Sequence, residues 1–389
     1  MDRALAELIK ISRVVGRDKT LVLGEFGNTS VKTEDGRYMY IKASGTALKD
    51  MGDKKGWRRL NLDSVRAILR DKRFAKMNAS KKQARLTGLL LSACDDEIKS
   101  DIRPSVESGF HSILDRYVIH LHPAAALAYL CAKNGRAEIK RLSRKEKIAA
   151  AWVSCASPGY ALAEKIRGSI EKYKRRYNRF PQVLFLQNHG LVVTTDNMNT
   201  AIKLVQKTVF ICKAGLKRPR KAKIQKTDRR KIAEAVLGIR QGFSEITGRD
   251  VTVKYFLDAT IAGFMAEKDG AKICSPGAVT LDELVYTGGG AVWLDKWDSK
   301  ALFVKLKRRF VNNRQMPSGF LIKPLGLFAA GEREKTDFMK DVIHTYLFIR
   351  RQAAKLGGIR FLNKRAVELL TEPQWLVKAK ESFENQKKG

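Results

Sequence analysis

Apolar residues recur every three or four positions in several stretches of the chain, which is the spacing of an amphipathic helix. The longest stretches lie at residues 2–15, 158–177, 199–214, 229–247 and 333–355, and shorter ones at 62–72, 80–93 and 127–133. The first stretch stops at Gly16, a residue that often ends helices. Each of these stretches is therefore predicted to be a helix.

Short apolar runs rich in β-branched and aromatic residues lie between the predicted helices and predict strands. They cover residues 21–23, 38–41, 117–122 and 183–186. Hydroxyl-rich segments follow the first two runs, at residues 27–30 and 44–46, and are predicted to be turns. Because strands and helices are interspersed, residues 1–215 are expected to form a layered α/β domain, with the strands between helices.

Two histidines, His120 and His122, belong to one of these strands. Because side chains alternate along a strand, the two imidazoles are expected on one face, close enough to share a small cation. A third histidine, His189, follows the next apolar run and precedes Gly190, where the backbone can turn toward a cleft. Three imidazoles leave one coordination position open, as in catalytic zinc sites.

Glu107 is the candidate carboxylate for this site. It follows Pro104 and Ser105, which indicate the start of a helix, and so falls in the first helical turn. Simpler explanations remain open, since histidines can be hydrogen-bonded in a core and the helix dipole favours a first-turn glutamate. His111, one turn later, is interpreted as a packing residue or as a support behind the site.

The net charge of the 389-residue chain is +36, with 76 basic and 40 acidic side chains. Such a surplus is typical of proteins that bind polyanions, but here the basic residues are spread over the predicted helices. No helix-turn-helix, zinc-finger or aromatic RNA-binding pattern accompanies them. The charge is interpreted as solvated helix faces, and a nucleic-acid partner or surroundings of high ionic strength remain alternatives.

The densest basic run is residues 216–231, with nine Lys or Arg and one Asp. It is predicted to be a basic linker or the start of a helix, and contact with a phosphate backbone is the alternative. The expected domains are therefore 1–215 and 232–389, joined by this run.

The five cysteines are odd in number and widely spaced, without a Cys-x-x-Cys pair. This pattern disfavours a disulfide framework and a thiolate metal site and fits a reducing compartment. The chain contains no run of about 18 apolar residues and starts without the apolar segment of a signal peptide. These features predict a cytoplasmic protein with no membrane partner.

Five separated motifs, in this order and spacing, resemble the class II aldolase/adducin family over about residues 20 to 212. They are Asn28-Thr29-Ser30, Lys42-Ala43-Ser44-Gly45-Thr46, Pro104-Ser105-Val106-Glu107, His120-Leu121-His122-Pro123 and Asn188-His189-Gly190-Leu191. The resemblance implies a three-layer α/β/α domain with a central mixed, largely antiparallel sheet. The second half is similar to the extension of rhamnulose-type aldolases and is expected to be an α+β extension.

The resemblance also implies roles for individual residues. His120, His122 and His189 would bind Zn²⁺ or another divalent first-row metal, and Glu107 would transfer a proton. A substrate phosphate would be held by Asn28, Ser44, Gly45 and Ser105. Some relatives have a second serine where this chain has Val106, and no tyrosine clearly matches the acid of fuculose-type aldolases.

The expected function is that of a metal-dependent lyase. It would split a phosphorylated ketose into dihydroxyacetone phosphate and an aldehyde through a metal-stabilised enediolate. Epimerases, dehydratases and decarboxylases of the family use the same metal cage and remain alternatives. Adducin-like proteins, which lack the histidines, and a polyanion-binding protein are alternatives without catalysis. A homo-oligomer, a tetramer in relatives, is implied by the resemblance alone.

Overall fold

The chain divides between Gly215 and Leu216 into two units in this computed structural model. The structure describes residues 2–96, 102–218, 221–274, 276–313, 315–363 and 367. Within these, the first unit comprises residues up to 130 and 136–215, and the second comprises 131–135 and 216–367. The part of the predicted extension at 364–366 and 368–389 lies outside the described residues.

A seven-stranded sheet runs through the described part of the first unit, in the order β3-β2-β1-β4-β7-β6-β5. Neighbouring strands are antiparallel except β5 and β6, which are parallel. In the register between β1 and β4, Asn28 lies opposite His120. The strands are β1 (Asn28–Lys32), β2 (Tyr38–Lys42), β3 (Trp57–Asn61), β4 (Tyr117–Leu121), β5 (Ala150–Val153), β6 (Val183–Leu186) and β7 (Gly190–Thr195).

Helices cover both faces of this sheet. The helices in the described part of the first unit are α1 (Arg3–Gly16), α2 (Leu62–Arg70), α3 (Arg73–Lys76), α4 (Ala79–Ser92), α5 (Ser108–Ser112), α6 (Ala124–Leu130), α7 (Gly135–Lys145), α8 (Tyr160–Tyr177) and α9 (Met198–Ala214), with a 3₁₀ turn at Leu48–Asp50. Val118 and Val192 of the sheet pack with Phe110 of α5 and Ile166 of α8 in one buried cluster. Helices α1, α6 and α9 pack on the sheet as well. The expected three-layer α/β/α architecture with a largely antiparallel sheet is confirmed.

The second unit contains, among its described residues, a four-stranded sheet in the order β8-β11-β10-β9. Strands β9 and β10 are parallel and the other neighbours are antiparallel. The strands are β8 (Thr252–Phe256), β9 (Val292–Leu294), β10 (Gly319–Ile322) and β11 (Gly326–Gly331).

The helices of this unit are α10 (Arg229–Thr247), α11 (Ala259–Met265), α12 (Gly270–Ile273), α13 (Leu281–Thr287), α14 (Ser299–Asn313) and α15 (Thr336–Lys355), with a 3₁₀ turn at Arg333–Lys335. Ile239 of α10 and Leu306 of α14 share one core with Phe320 of the sheet. Leu347 of α15 belongs to a second core with Leu321. Since Phe320 and Leu321 are successive strand residues, these cores lie on opposite faces. The expected α+β extension is confirmed, and it consists of helices around a second sheet.

Two local predictions about the first unit are wrong. Residues 21–23 form no strand. Leu21 ends a turn in which its amide donates to the carbonyl of Asp18, and residues 22 and 23 have no regular secondary structure, although Leu21 and Val22 are buried. The segment predicted as a turn around Asn28 is instead the start of β1. A buried strand is normally predicted from a run of apolar residues. β1 was missed because its buried residues Asn28, Thr29 and Ser30 are polar.

The basic run has no regular secondary structure at residues 216–218 and 221–228, and α10 begins at Arg229. Asp228 caps this helix, because its carboxylate accepts from the amides of Arg230 and Lys231. The last three residues of the run therefore belong to α10. Pro219 and Arg220 lie outside the described residues.

No helix among the described residues has the length and hydropathy needed to cross a lipid bilayer.

Candidate metal centre

Three imidazoles meet at the end of the sheet where β4 and β7 lie side by side. His120 is on β4, His122 follows that strand, and His189 directly precedes β7. The Nε2 atom of His120 lies 3.0 Å from Nε2 of His122 and 3.2 Å from Nε2 of His189. The ligand atoms of all three lie within 4.8 Å of one another. The structure thus brings together the histidines that the alternation along β4 predicted on one face.

The contact made by Nδ1 of His120 determines which ring nitrogen carries the hydrogen. Nδ1 of His120 lies 3.1 Å from the carbonyl oxygen of Leu191. A carbonyl oxygen only accepts, so Nδ1 carries the hydrogen. Burial keeps the pKa of His120 well below its ordinary value, and the ring is neutral at physiological pH. Its Nε2 therefore turns a lone pair toward the other two histidines, as metal-ligating histidines do.

Glu107 lies at the edge of the histidine cluster, at the residue before α5. Its Oε2 is 3.4 Å from Nε2 of His120, and its Oε1 is 3.2 Å from Nε2 of His189. Burial by itself raises the pKa of Glu107, but the neighbouring imidazoles and a hydrogen bond from Asn28 bring that pKa below its ordinary value. The site therefore places an ionised carboxylate beside the imidazoles.

The donor atoms fit a divalent first-row cation. Glu107 Oε1 is buried and accepts no hydrogen bond within the described residues. Buried polar atoms are rarely left unsatisfied, and a cation shared by the three Nε2 atoms would lie beside this oxygen and satisfy it. Three imidazole nitrogens with a carboxylate alongside are ligands that suit zinc and its neighbours. His120, His122 and His189 could hold such an ion.

Asn28 connects β1 to this carboxylate. Its Nδ2 donates to Glu107 Oε2 at 2.7 Å and to Ser105 Oγ at 3.2 Å. Its Oδ1 lies 2.5 Å from Nε2 of His111. Both hydrogens of the amide nitrogen are thus engaged within the protein, and Asn28 holds Glu107 in place.

The remaining residues predicted at a phosphate lie beside Glu107. Ser105 Oγ accepts from the amide of Glu107 at 3.2 Å. The amide of Ser44 donates to the carbonyl of Arg103 at 2.8 Å, which holds the 44–46 turn against the segment that leads to Glu107. Gly45 adopts φ +77°, a conformation that glycine permits at low cost. The structure thus places the Ser44-Gly45 turn against the segment that contains Ser105 and leads to Glu107.

Sequence reasoning assigned no role to Lys42, which ends β2. Lys42 is only 5% exposed. Burial lowers the pKa of Lys42 to about 8, and the carboxylates of Glu25 and Glu107 act against that decrease. One sequence feature could have indicated a role for Lys42. It is a charged residue at the end of an apolar strand, two positions before the Ser-Gly turn.

Three comparisons relate the chain to known proteins. An uncharacterized oxidoreductase, YuxG, from Bacillus subtilis is 26% identical over 219 residues, which are 54% of this chain and 29% of that protein. The chain thus spans less than a third of that relative's length. The N-terminal class II aldolase domain of a conserved Thermoplasma acidophilum protein is 23% identical, with a TM-score of 0.45, over 55% of this chain and 94% of that one.

A second solved structure, L-fuculose-1-phosphate aldolase from Thermus thermophilus, is 17% identical, with a TM-score of 0.34, over 54% of this chain and 92% of that one. The family model for the class II aldolase and adducin N-terminal domain matches residues 6–216, which is more than half of the chain. The predicted resemblance is therefore confirmed, and the chain belongs to the class II aldolase and adducin N-terminal domain family.

Proposed function

We propose that the protein is a zinc-dependent aldolase that cleaves a phosphorylated ketose into dihydroxyacetone phosphate and an aldehyde. The supporting observation is the convergence of three imidazole Nε2 atoms beside a buried carboxylate oxygen that accepts no hydrogen bond from the described residues. Adducin-like members of the family lack these histidines. Their presence and close approach in this chain therefore favour an enzyme.

The chemistry requires a positive charge and a proton carrier. His120, His122 and His189 would hold a divalent cation, whose charge would stabilise the negative charge that develops on the substrate oxygens as the carbon–carbon bond breaks. The hydroxyl group that becomes the aldehyde must lose a proton, which an ionised carboxylate can accept, and the carbon released from the broken bond must gain a proton. Glu107 Oε1 is the oxygen available to carry it, because Oε2 is held by Asn28. Glu107 is therefore the proposed catalytic residue.

The substrate phosphate is proposed to bind on the Lys42 side of Glu107. The Ser105 hydroxyl accepts from Asn28 and from the Glu107 amide, so its own hydrogen is directed elsewhere and can reach a phosphate oxygen. The Ser44-Gly45 turn supplies backbone groups, and the Lys42 ammonium supplies charge. Asn28, whose amide hydrogens are both used, is proposed to act on this anion through Ser105.

A cytoplasmic homo-oligomer, tetrameric by family resemblance, is part of the proposal. Static light scattering of the purified protein should give a mass of several times the 43.8 kDa of one chain. The mass of a monomer would contradict the proposed oligomer but would not affect the proposed reaction.

The reaction is tested by incubating zinc-loaded protein with a panel of ketose 1-phosphates and coupling released dihydroxyacetone phosphate to a reduced nicotinamide. We expect release that depends on the metal and is absent in Glu107→Gln. Isomerised sugar without dihydroxyacetone phosphate would instead indicate an epimerase on the same site. Retention on heparin at moderate salt, with no turnover on any sugar, would favour the polyanion-binding alternative.

A further inference from the structure

A buried row of hydrogen bonds leads from β1 through α5 to the candidate catalytic carboxylate. Ser30 Oγ lies 2.7 Å from Nδ1 of His111, and Nε2 of His111 lies 2.5 Å from Oδ1 of Asn28. Nδ2 of Asn28 then donates to Glu107 Oε2 at 2.7 Å. His111 has no exposed surface and Ser30 has none, so water does not compete for these bonds.

The direction of every bond in this row follows from the Asn28 amide, whose nitrogen donates to both Glu107 Oε2 and Ser105 Oγ. The amide oxygen therefore faces His111. An amide oxygen only accepts hydrogen bonds, so the hydrogen of His111 sits on Nε2. Burial lowers the pKa of His111 to about 3, so the ring carries a single hydrogen. Its Nδ1 is therefore bare and accepts from the Ser30 hydroxyl.

The opposite tautomer of His111 would be incompatible with this arrangement. A bare Nε2 would face the Asn28 oxygen, and the amide would rotate to place its nitrogen toward the histidine. The amide oxygen would then lie against Glu107 Oε2, with two acceptors about 2.7 Å apart. The hydrogen position on His111 thus decides which end of Asn28 meets the carboxylate.

We propose that His111 is a positioning residue, whose Nε2 hydrogen locks the Asn28 amide so that Glu107 Oε2 is held and Oε1 is left toward the histidine cluster. The predicted effect on kcat rests on the proposed function. The predicted tautomer of His111 and its dependence on Asn28 do not rest on that function. His111 itself need touch neither substrate nor cation. A packing role alone would need only an aromatic ring of the same size at this position.

The first test is nitrogen NMR of protein labelled with ¹⁵N-histidine, which contains only five histidines. We expect one histidine with hydrogen on Nε2 and a bare Nδ1, whose signal is lost in His111→Gln and shifts in Asn28→Ala. A signal assigned to His111 with hydrogen on Nδ1, or one unaffected by Asn28→Ala, would overturn the proposal. This outcome does not depend on whether the protein cleaves any sugar.

The second test separates positioning from packing in the active enzyme. His111→Phe keeps a ring but removes the donor, and we expect kcat to fall about 10- to 100-fold, the effect of losing one hydrogen bond next to a charge. KM and bound zinc should stay within about twofold. His111→Gln places an amide hydrogen near the position of Nε2 and should recover most of kcat.

His344→Phe is the matched control, because His344 is a partly buried histidine of the second unit and should leave kcat unchanged. Equal kcat in wild type and His111→Phe would overturn the proposal. Equal loss in His111→Phe and His111→Gln together with loss of zinc would also overturn it, since that result indicates a purely structural role. If the wild type shows no turnover, only the proposed function fails and the NMR result decides on His111.

Discussion

A methyl group on Gly190 would lie 2.5 Å from Cδ2 of His122. The same methyl group would lie 2.7 Å from the carbonyl oxygen of Leu121 and 2.9 Å from Cε1 of His120. Because the carbonyl belongs to the paired backbone of β4, it cannot move away cheaply. We predict that Gly190→Ala displaces the imidazoles, lowers zinc retention at least about tenfold and destabilises the protein by about 1–3 kcal/mol. Metal analysis after dialysis and thermal unfolding measure the two effects.

Gly168 provides the matched control. It lies within α8, and a methyl group there would meet nothing within 4 Å. Gly168→Ala should raise stability by up to about 1 kcal/mol through helix propensity and leave bound zinc unchanged. Equal zinc in Gly190→Ala and wild type would show that the histidines do not depend on this close contact.

Glu107→Gln should separate proton transfer from metal binding. The amide is isosteric with the carboxylate but cannot carry a proton, so kcat should fall by about 10²–10⁴-fold, the usual contribution of general acid–base catalysis. Bound zinc should remain near the wild-type level because the three imidazoles are intact. Turnover within about threefold of wild type would reject Glu107 as the proton carrier.

Lys42→Met should weaken binding of the substrate phosphate. The substitution keeps an unbranched side chain in the buried position but removes its charge, so KM for a ketose phosphate and the inhibition constant of inorganic phosphate should each rise about tenfold or more. The exposed Lys203 of α9 supplies the control Lys203→Met, for which both constants should stay unchanged. Equal changes of KM and of the inhibition constant in the two variants would mean that the phosphate does not bind at Lys42.

The stability of the protein should depend on pH through Lys32. Burial lowers the pKa of Lys32 from 10.5 to about 7, although its ammonium group donates to the carbonyls of His111 and Asp115. Between these two pH values the unfolded chain holds a proton that the folded chain has released, so stability increases as pH rises. Each unit of pKa difference corresponds to about 1.4 kcal/mol.

Urea unfolding of wild type and Lys32→Met across pH 7 to 10 measures this contribution. The free energy of unfolding should rise less steeply with pH in the variant, apart from a constant offset for the two carbonyls left without a donor. Identical slopes in the two proteins would mean that Lys32 has an ordinary pKa in the folded state.

The proximity of the histidines could be predicted because it depends on short-range geometry. Alternation along the predicted strand at residues 117–122 places His120 and His122 on one face whatever surrounds the strand. The proximity of His189 depends on the pairing of β4 with β7, which the sequence did not predict. Only the family resemblance placed His189 with the other two histidines. The layered fold followed similarly from the succession of apolar runs and helical stretches.

Contacts between distant polar residues could not be predicted from the sequence. β1 carries Asn28, Thr29 and Ser30, a triplet typical of a turn, and becomes a buried strand because its polar atoms find partners in α1 and α5. Those partners are distant in sequence, so the local pattern of apolar and polar residues does not indicate them. The pairing of His111 with Asn28, separated by 83 positions, and the burial of Lys42 were missed for the same reason.

Metal retention most directly tests the claim that the three imidazoles converge on one ion. Wild type and His120→Ala, each saturated with zinc and dialysed against metal-free buffer, are analysed by inductively coupled plasma mass spectrometry, with circular dichroism to verify folding. We predict about one zinc per chain in wild type and well below about 0.1 in the folded variant. Equal zinc in the two proteins, or none in wild type, would contradict the account.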